Sequence, residues 1–214
     1  MRRPTAAKPR ILTMAKIKLG AGTLLAPLPA VLVTCGDSEN ANIITIAWTG
    51  ILCTKPPVMY ISVRPERYSY GIIKEKGEFA VNLTTSAMVR QTDLCGVKTG
   101  ASGDKFKMSG LHKTDSFMIS APIIEESPLS LECRVRKIIP MGTHDIITAD
   151  ILCADADERY IDSKGKLNLQ QSGIMAYSHG EYFSLGKKLG SFGFTVAKKK
   201  HGKKTYGVKG AKHK

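Results

Sequence analysis

Two arginines stand just ahead of a candidate helix, where they could hold an anion. Arg64 and Arg67 precede Ser69, the candidate N-cap of a short helix that ends at Gly77. Guanidinium groups form fork-shaped hydrogen bonds with phosphate, and free backbone N–H groups at a helix N-terminus also favour negative charge. The pattern therefore predicts an anion site. The alternative is a pair of solvated surface arginines beside an ordinary helix cap.

The thiol and imidazole groups do not fall at the spacing of a metal site. Neither the cysteines nor His144 and His179 show the paired spacing of a zinc site or of a redox dithiol, so no metal is predicted. The five cysteines are Cys35, Cys53, Cys95, Cys133 and Cys153. We predict free thiols, which are typical of a reducing compartment. The sequence has neither an apolar run suited to a membrane helix nor a secretory signal, so we expect a soluble, cytoplasmic protein.

The positive charge is concentrated in two end segments. Residues 1–18 carry six Lys or Arg and residues 198–214 carry eight, and with no acid in either segment they account for the whole net charge of +14. We therefore predict a basic N-terminal extension (1–20), one central domain (21–192) and a disordered, Lys-rich tail (193–214). The basic ends also suggest a rival function, a barrel that binds nucleic acid. The affinity of such a barrel for nucleic acid would fall with added salt and with removal of the Lys-rich tail. The neutral centre argues against a specific nucleic-acid or membrane partner.

The central segment is predicted to consist of strands with two short helices inserted among them. Apolar runs rich in β-branched residues predict about six strands, at 30–35, 43–48, 58–63, 79–84, 129–140 and 144–157, and one further candidate near 174–177. Helices are predicted at 69–77 and 87–95, a glycine-rich loop at 96–110, and mostly loop beyond 158. Parallel strands need crossover helices between them, and two short helices are too few for that role. We therefore predict a β-dominated barrel.

Four segments in this order carry a family resemblance. NANIITIAW, KPPVMYISVRPERYSYGIIKEKGEFAVNL, CGVKTGASGDKF and THDIITADI resemble the flavin reductase-like (flavoredoxin-like) family, over roughly residues 25–190. The resemblance implies a mainly β fold, an FMN-binding split β-barrel of Greek-key type with short inserted helices. It also implies a flavoprotein with FMN as cofactor and a homodimer with flavin sites near the subunit interface.

The same resemblance assigns flavin contacts residue by residue. The implied contacts are Thr45, Ala47, Trp48, Thr49 and Gly50; Arg64, Arg67 and Ser69 for the phosphate; Asn82, Leu83 and Thr84; and Cys95, Gly96, Lys105 and Phe106. His144 is implied to orient or polarise the flavin and nicotinamide, with the capping of a hairpin turn as the alternative. Asn82 lies in an apolar run, where a buried amide needs a polar partner that a flavin would supply.

Some of these residues have an alternative role that does not involve a flavin. Trp48 could belong to the core or to a dimer interface, Cys95 could be a buried thiol, and Lys105 could be a solvated loop lysine.

Two functions from different classes are compatible with the resemblance. The first is an oxidoreductase, a flavin reductase in which NAD(P)H passes a hydride from its nicotinamide C4 to the flavin N5. The alternative is a flavoredoxin-like electron carrier that holds FMN and exchanges electrons with a protein partner. The sequence lacks a GxGxxG fingerprint after a strand, so NAD(P)H would bind only transiently. A reductase could also supply an oxygenase partner.

Overall fold

The computed structural model describes residues 15–197. Residues 1–14 and 198–214, with most of the predicted basic extension and all of the lysine-rich run, lie outside the described residues. The described residues fall into two units, divided after Ser184. The second unit (185–197) contains no helix or strand and has two turns, in which Phe194 N donates to Ser191 O at 3.0 Å and Val196 N donates to Gly193 O at 3.2 Å.

Strands dominate the first unit. The strands are β1 (Leu28–Pro29), β2 (Val31–Cys35), β3 (Asn42–Ile46), β4 (Thr49–Thr54), β5 (Pro57–Val63), β6 (Glu78–Leu83), β7 (Lys113–Thr114), β8 (Ile123–Ile124), β9 (Leu129–Pro140), β10 (Asp145–Ala156), β11 (Met175–Ser178) and β12 (Glu181–Ser184). The α-helices are α1 (Tyr68–Lys76), α2 (Val89–Val97) and α3 (Lys105–Ser109). Short 3₁₀ helices occupy Ser86–Met88, Gly100–Ser102, Glu158–Tyr160 and Leu169–Gln171. Among residues 15–197, no helix has the length and apolar character needed to cross a membrane.

One antiparallel sheet of seven strands organises the unit. Its order is β3-β2-β6-β9-β10-β5-β4, so the long hairpin β9–β10 lies in the middle. A smaller sheet joins β1, β11 and β12, and β7 pairs with β8. The register between β9 and β10 shifts after Thr148 and again after Ile151, and such bulges bend and twist the strands.

The sheet buries apolar side chains in two clusters. The larger cluster contains Ile61, Phe79 and Ile147, whose side chains are fully buried on central strands. The smaller one lies where α2 and α3 cover β2 and β3, with Leu32 and Phe106 at its centre. This second cluster holds the two helices against the edge strand β3, and thereby determines the position of the residues between them.

Two local predictions are wrong. Ser69 is not the N-cap of α1; that position is held by Arg67. A turn in which Arg67 N donates to Arg64 O starts the helix before Ser69. The Ser69 hydroxyl instead accepts a hydrogen bond from Asn42 Nδ2 at 2.7 Å. The glycine-rich segment 96–110 is not all loop, because it contains α3. Asp104 caps this helix by accepting hydrogen bonds from two of its backbone N–H groups, and Gly110 ends it.

Candidate functional site

A cavity of about 440 Å³ opens beside the ends of β3 and β5. We call it the aromatic cavity; it is lined by residues 30, 44–48, 62–64, 67, 93, 96–97, 144, 177, 180 and 182. Its volume lies in the range of small-molecule sites. Arg64 and Arg67 supply its positive charge, and Asp93 is the one carboxylate in its lining.

Trp48 and His144 form one wall of the aromatic cavity. Their ring centroids lie 4.7 Å apart at an interplanar angle of 38°. Trp48 follows β3, and its carbonyl accepts a hydrogen bond from Ser62 N at 2.8 Å, which fixes it against β5. His144 stands in the turn between β9 and β10, where its Nδ1 lies 3.0 Å from Thr143 Oγ1. The central hairpin and the edge of the sheet thus bring the two rings together.

The hairpin β11–β12 contributes two tyrosines to the same cavity. Tyr177 and Tyr182 are cross-strand partners with ring centroids 5.5 Å apart. His179 and Gly180 form the two-residue turn with positive φ angles of 48° and 92°, the backbone that a tight hairpin requires. The first strand, β11, matches the candidate predicted near 174–177, whereas β12 lies where the sequence pattern predicted loop. The His-Gly pair between MAYS and EYFS was the signal that could have identified the hairpin.

A second cavity of about 370 Å³ adjoins the first. We call it the polar cavity; it is lined by residues 42, 44, 64, 66–69, 95–96, 98–100 and 105. Ile44, Arg64, Arg67 and Gly96 line both cavities. The two cavities are therefore adjacent parts of one site, one rich in aromatic rings and the other in cations and hydroxyl groups.

The side chain of Lys105 lies almost fully buried at the polar cavity, with 3% of the residue exposed. Its Nζ donates to Ile43 O at 2.8 Å and to Cys95 O at 2.9 Å. No described carboxylate lies within 4 Å of this ammonium, which has a third donor. Burial lowers the pKa of Lys105. A buried cation without a counter-ion fits a site for an anionic ligand.

Close packing shapes the floor of the polar cavity. A Cβ on Gly100 would overlap the Tyr68 ring and would lie 2.5 Å from Asn42 Oδ1, so only glycine lets the chain approach there. A Cβ on Gly96 would lie 3.2 Å from Thr45 Cβ. Glycine at this position of α2 therefore lets the helix lie directly against β3, between the two cavities.

A partly buried hydrogen bond connects α1 to the start of β10. Tyr70 Oη donates to Asp145 Oδ2 at 2.6 Å, and Asp145 is 7% exposed. This bond, followed by burial, raises the pKa of Tyr70. Asp145 directly follows His144, so α1, which Arg67 caps, is tied to the turn that carries the imidazole.

Comparison with known proteins agrees with this architecture. Residues 24–186 match the model of the flavin reductase like domain. The chain belongs to the flavin reductase-like family. A flavoredoxin of Desulfovibrio vulgaris (Miyazaki F) is 29% identical and superposes with a TM-score of 0.76 over 83% of this chain and 97% of that chain. Membership in the flavin reductase-like family supports flavin binding and an oxidoreductase.

Two further relatives extend the comparison. A structure from Shewanella frigidimarina described as having a split barrel domain is 21% identical, with a TM-score of 0.70 over 77% of this chain and 85% of that chain. The predicted fold, a mainly β split barrel, is therefore confirmed. A protein of Streptomyces viridifaciens described as an NADPH-flavin oxidoreductase is 25% identical over 127 residues, which are 59% of this chain and 65% of that protein.

The structure brings many of the residues implied by the flavin reductase-like resemblance to the two cavities. Those that line one or both are Thr45, Ala47, Trp48, Arg64, Arg67, Ser69, Cys95, Gly96, Lys105 and His144. The cavity linings also contain Asn42, Asp93, Tyr177 and Tyr182, which the sequence analysis did not single out. Asn42 and Asp93 had no local signal, because their positions depend on contacts between distant elements.

Six of the implied residues line neither cavity: Thr49, Gly50, Asn82, Leu83, Thr84 and Phe106. Thr49 Oγ1 donates to Tyr60 O at 2.5 Å, and a Cβ on Gly50 would lie 3.2 Å from the Tyr60 ring. Thr84 Oγ1 donates to Ala30 O at 2.5 Å. Leu83 packs against the larger core cluster, and Phe106 belongs to the smaller one.

Asn82 is fully buried and its amide group is bonded within the protein. Nδ2 donates to Leu32 O at 3.0 Å and to Thr34 Oγ1 at 3.1 Å. Oδ1 accepts from Ile124 N at 2.9 Å and from Ser130 Oγ at 2.7 Å. The polar partner that the sequence required for Asn82 is thus supplied by three other segments of the chain.

Away from both cavities, Glu132, Cys153 and Asp155 bring possible metal-ligand atoms within 4.8 Å of one another. Their proximity follows from the cross-strand pairing of Cys153 with Glu132, which sequence spacing does not show. Both oxygens of Glu132 already accept hydrogen bonds at 2.6 Å, from Phe117 N and Met118 N. Burial, and then the charge of Glu132, raise the pKa of Asp155. The cluster anchors the loop that contains these amides.

Proposed function

We propose that the protein is an FMN-binding oxidoreductase that oxidises NAD(P)H. The observation that carries the proposal is the pair of adjoining cavities, an aromatic one for a flat ring and a polar one with the buried Lys105 ammonium for a phosphate. An FMN molecule needs both parts, whereas riboflavin would use only the first. When bound, the flavin supplies a ring whose N5 accepts a hydride from the nicotinamide C4.

The chain's own residues would bind and orient the two reactants. Lys105, Arg67 and Ser69 would hold the phosphate, with Arg64 between phosphate and ring. Trp48 and His144 would limit where a planar ring can lie, and an aromatic wall also excludes water from the reacting atoms. His144 needs no proton-transfer role in a direct hydride transfer, so we assign it to orientation.

The proposal is tested by the visible spectrum of the purified protein, followed by FMN titration and anaerobic addition of NADH or NADPH. We expect tight FMN binding and bleaching of the flavin absorption by a pyridine nucleotide. Bound FMN that resists both nucleotides would favour the second candidate, an electron carrier with a protein redox partner, which the similarity to a flavoredoxin supports. Failure to bind FMN would contradict both candidates.

We also propose a homodimer that uses the edge strand β4. Ile51 is 60% exposed and Leu52 is 54% exposed, so two consecutive apolar side chains of this strand are open to solvent. An open edge with consecutive exposed apolar side chains is the kind of surface that a second copy covers.

Substitution Leu52→Asp is expected to convert the dimer to a monomer, because it places a charge in a desolvated interface. Sedimentation velocity over a range of protein concentrations measures the change. Phe117→Asp is the matched control, since Phe117 is also exposed but lies in the loop between β7 and β8. Equal masses for wild type and Leu52→Asp would contradict the assignment of β4 to the interface.

A further inference from the structure

Asp93 has no role in the flavin site as described so far. It is exposed on α2 and is the only acid among residues 15–197 that lines the aromatic cavity. Glu66, the carboxylate at the polar cavity, pairs with Arg64 at 3.3 Å, whereas Asp93 forms no ion pair within residues 15–197. A carboxylate repels a phosphate-bearing ligand, so Asp93 calls for a different partner. The groups that a carboxylate binds are hydrogen-bond donors and cations.

Tyr182 directs its hydroxyl group towards Asp93. Tyr182 Oη donates to Asp93 Oδ1 at 3.4 Å, a long separation that leaves the carboxylate with acceptor capacity. Within residues 15–197, Tyr182 is the one hydrogen-bond partner of the Asp93 side chain. Burial, and then the charge of Asp93, raise the pKa of Tyr182 to about 12. The phenol therefore keeps its proton, and its oxygen presents lone pairs beside those of the carboxylate.

The two acceptor groups lie next to an aromatic surface. Tyr177 and Tyr182 stand side by side on the hairpin whose turn is fixed by His179 and Gly180. Together with the Trp48–His144 pair, they give the aromatic cavity two separate pairs of rings. Each pair of rings offers an apolar surface on which a planar ligand can stack.

We propose that Asp93 and Tyr182 bind the carboxamide amino group of the nicotinamide of the reduced pyridine nucleotide. This rests on the proposed function. The shared chemistry is a planar ring with an N–H donor, which the pyrimidine edge of a flavin also offers. The charge that develops during hydride transfer favours the nicotinamide over the flavin as the ligand of Asp93. When the C4–H bond breaks, its electron pair leaves with the hydrogen for the flavin N5, and the nicotinamide ring is left as a pyridinium cation.

A carboxylate beside the ring that becomes positive stabilises the transition state, whereas beside the ring that receives the electron pair it would oppose the reaction. Arg64 and Arg67 have the opposite effect and favour the electron acceptor near them. The cavity lining thus carries its negative charge on α2 and its positive charge on the segment between β5 and α1, and this asymmetry matches the direction of hydride transfer.

The test compares NADH with its reduced 3-acetylpyridine analogue, in which a methyl ketone replaces the amide and removes the N–H donor. The rate of anaerobic flavin bleaching is measured for FMN-loaded wild type, Asp93→Ala, Asp93→Asn and Tyr182→Phe. For each protein, the NADH preference is the NADH rate divided by the analogue rate. The intrinsic difference between the two donors cancels when the preference of a variant is compared with that of the wild type. Asp115→Ala is the control, because Asp115 is an exposed carboxylate that lines neither cavity.

We expect the NADH preference to fall about 10-fold in Asp93→Ala, the loss of one hydrogen bond to a charged group. Asp93→Asn keeps an acceptor oxygen and should retain the preference while slowing both donors. The FMN dissociation constant should stay unchanged in all variants. An unchanged preference in Asp93→Ala and Tyr182→Phe overturns the inference alone. Weakened FMN binding with an unchanged preference reassigns the pair to the flavin and also overturns it. Wild-type FMN that neither donor bleaches overturns the inference together with the proposed function.

Discussion

Replacing Lys105 with methionine is expected to weaken FMN binding about 10-fold to 100-fold, the worth of a hydrogen bond to a charged group. Riboflavin binding should change little, because riboflavin has no phosphate for the ammonium to neutralise. Methionine retains the length and apolar stem of the side chain, so the packing beside α2 is disturbed as little as the chain allows. Titrating the fluorescence of each flavin with protein measures both affinities.

Lys107→Met is the matched control, since Lys107 lies in the same helix but is exposed and pairs with Asp104 at 3.7 Å. Its FMN affinity should equal that of the wild type. The pH dependence provides a second check: burial lowers the pKa of Lys105, so FMN affinity should fall as rising pH removes the proton from the ammonium. Equal losses of FMN and riboflavin affinity in Lys105→Met would show a general disturbance and contradict the phosphate role.

Replacing Asn82 with alanine is expected to lower the free energy of unfolding by about 3–4 kcal/mol, because it leaves several buried polar groups without partners. The backbone carbonyl of Leu32 and the amide of Ile124 would both lose a hydrogen bond. Urea denaturation measures the change, and Asn40→Ala, at an exposed position in the loop between β2 and β3, should have almost no effect.

The same variant distinguishes two roles for Asn82. The structure places its amide in a network inside the barrel, while the family resemblance implies a contact with the flavin. A large loss of stability with FMN affinity retained by the folded fraction supports the structural role. Near-normal stability with a large loss of FMN affinity would instead support a direct contact.

Much of the fold could be predicted because its central strands have strong local patterns. The β-branched runs of β2 and β5 are bounded by turn formers, and α1 ends at Gly77 in the left-handed conformation, as its glycine predicts. β4 was not predicted, because four of its six residues are exposed and its pairing with β5 supplies most of its order. Tertiary pairing overrides local propensity in such strands.

The site was predictable only in part, for a similar reason. The cap residues Asp104 and Gly110 were local signals of α3 within a stretch that is otherwise rich in turn formers. What the sequence could not indicate is that Lys105 turns inward to two carbonyl groups, one of them 62 positions earlier in the chain. Likewise, Asp93 and Tyr182 meet only because α2 and the hairpin β11–β12 converge in the folded barrel.

The contrast between the two edges of the large sheet has a consequence for handling the protein. The edge at β3 is covered by α2 and α3, whereas β4 at the opposite edge keeps exposed apolar side chains. An uncovered edge can template non-native strand pairing between chains, which leads to aggregates that grow without closure. Dilution that separates paired copies should therefore lower solubility, whereas copies separated by a charged residue on β4, as in Leu52→Asp, should stay soluble.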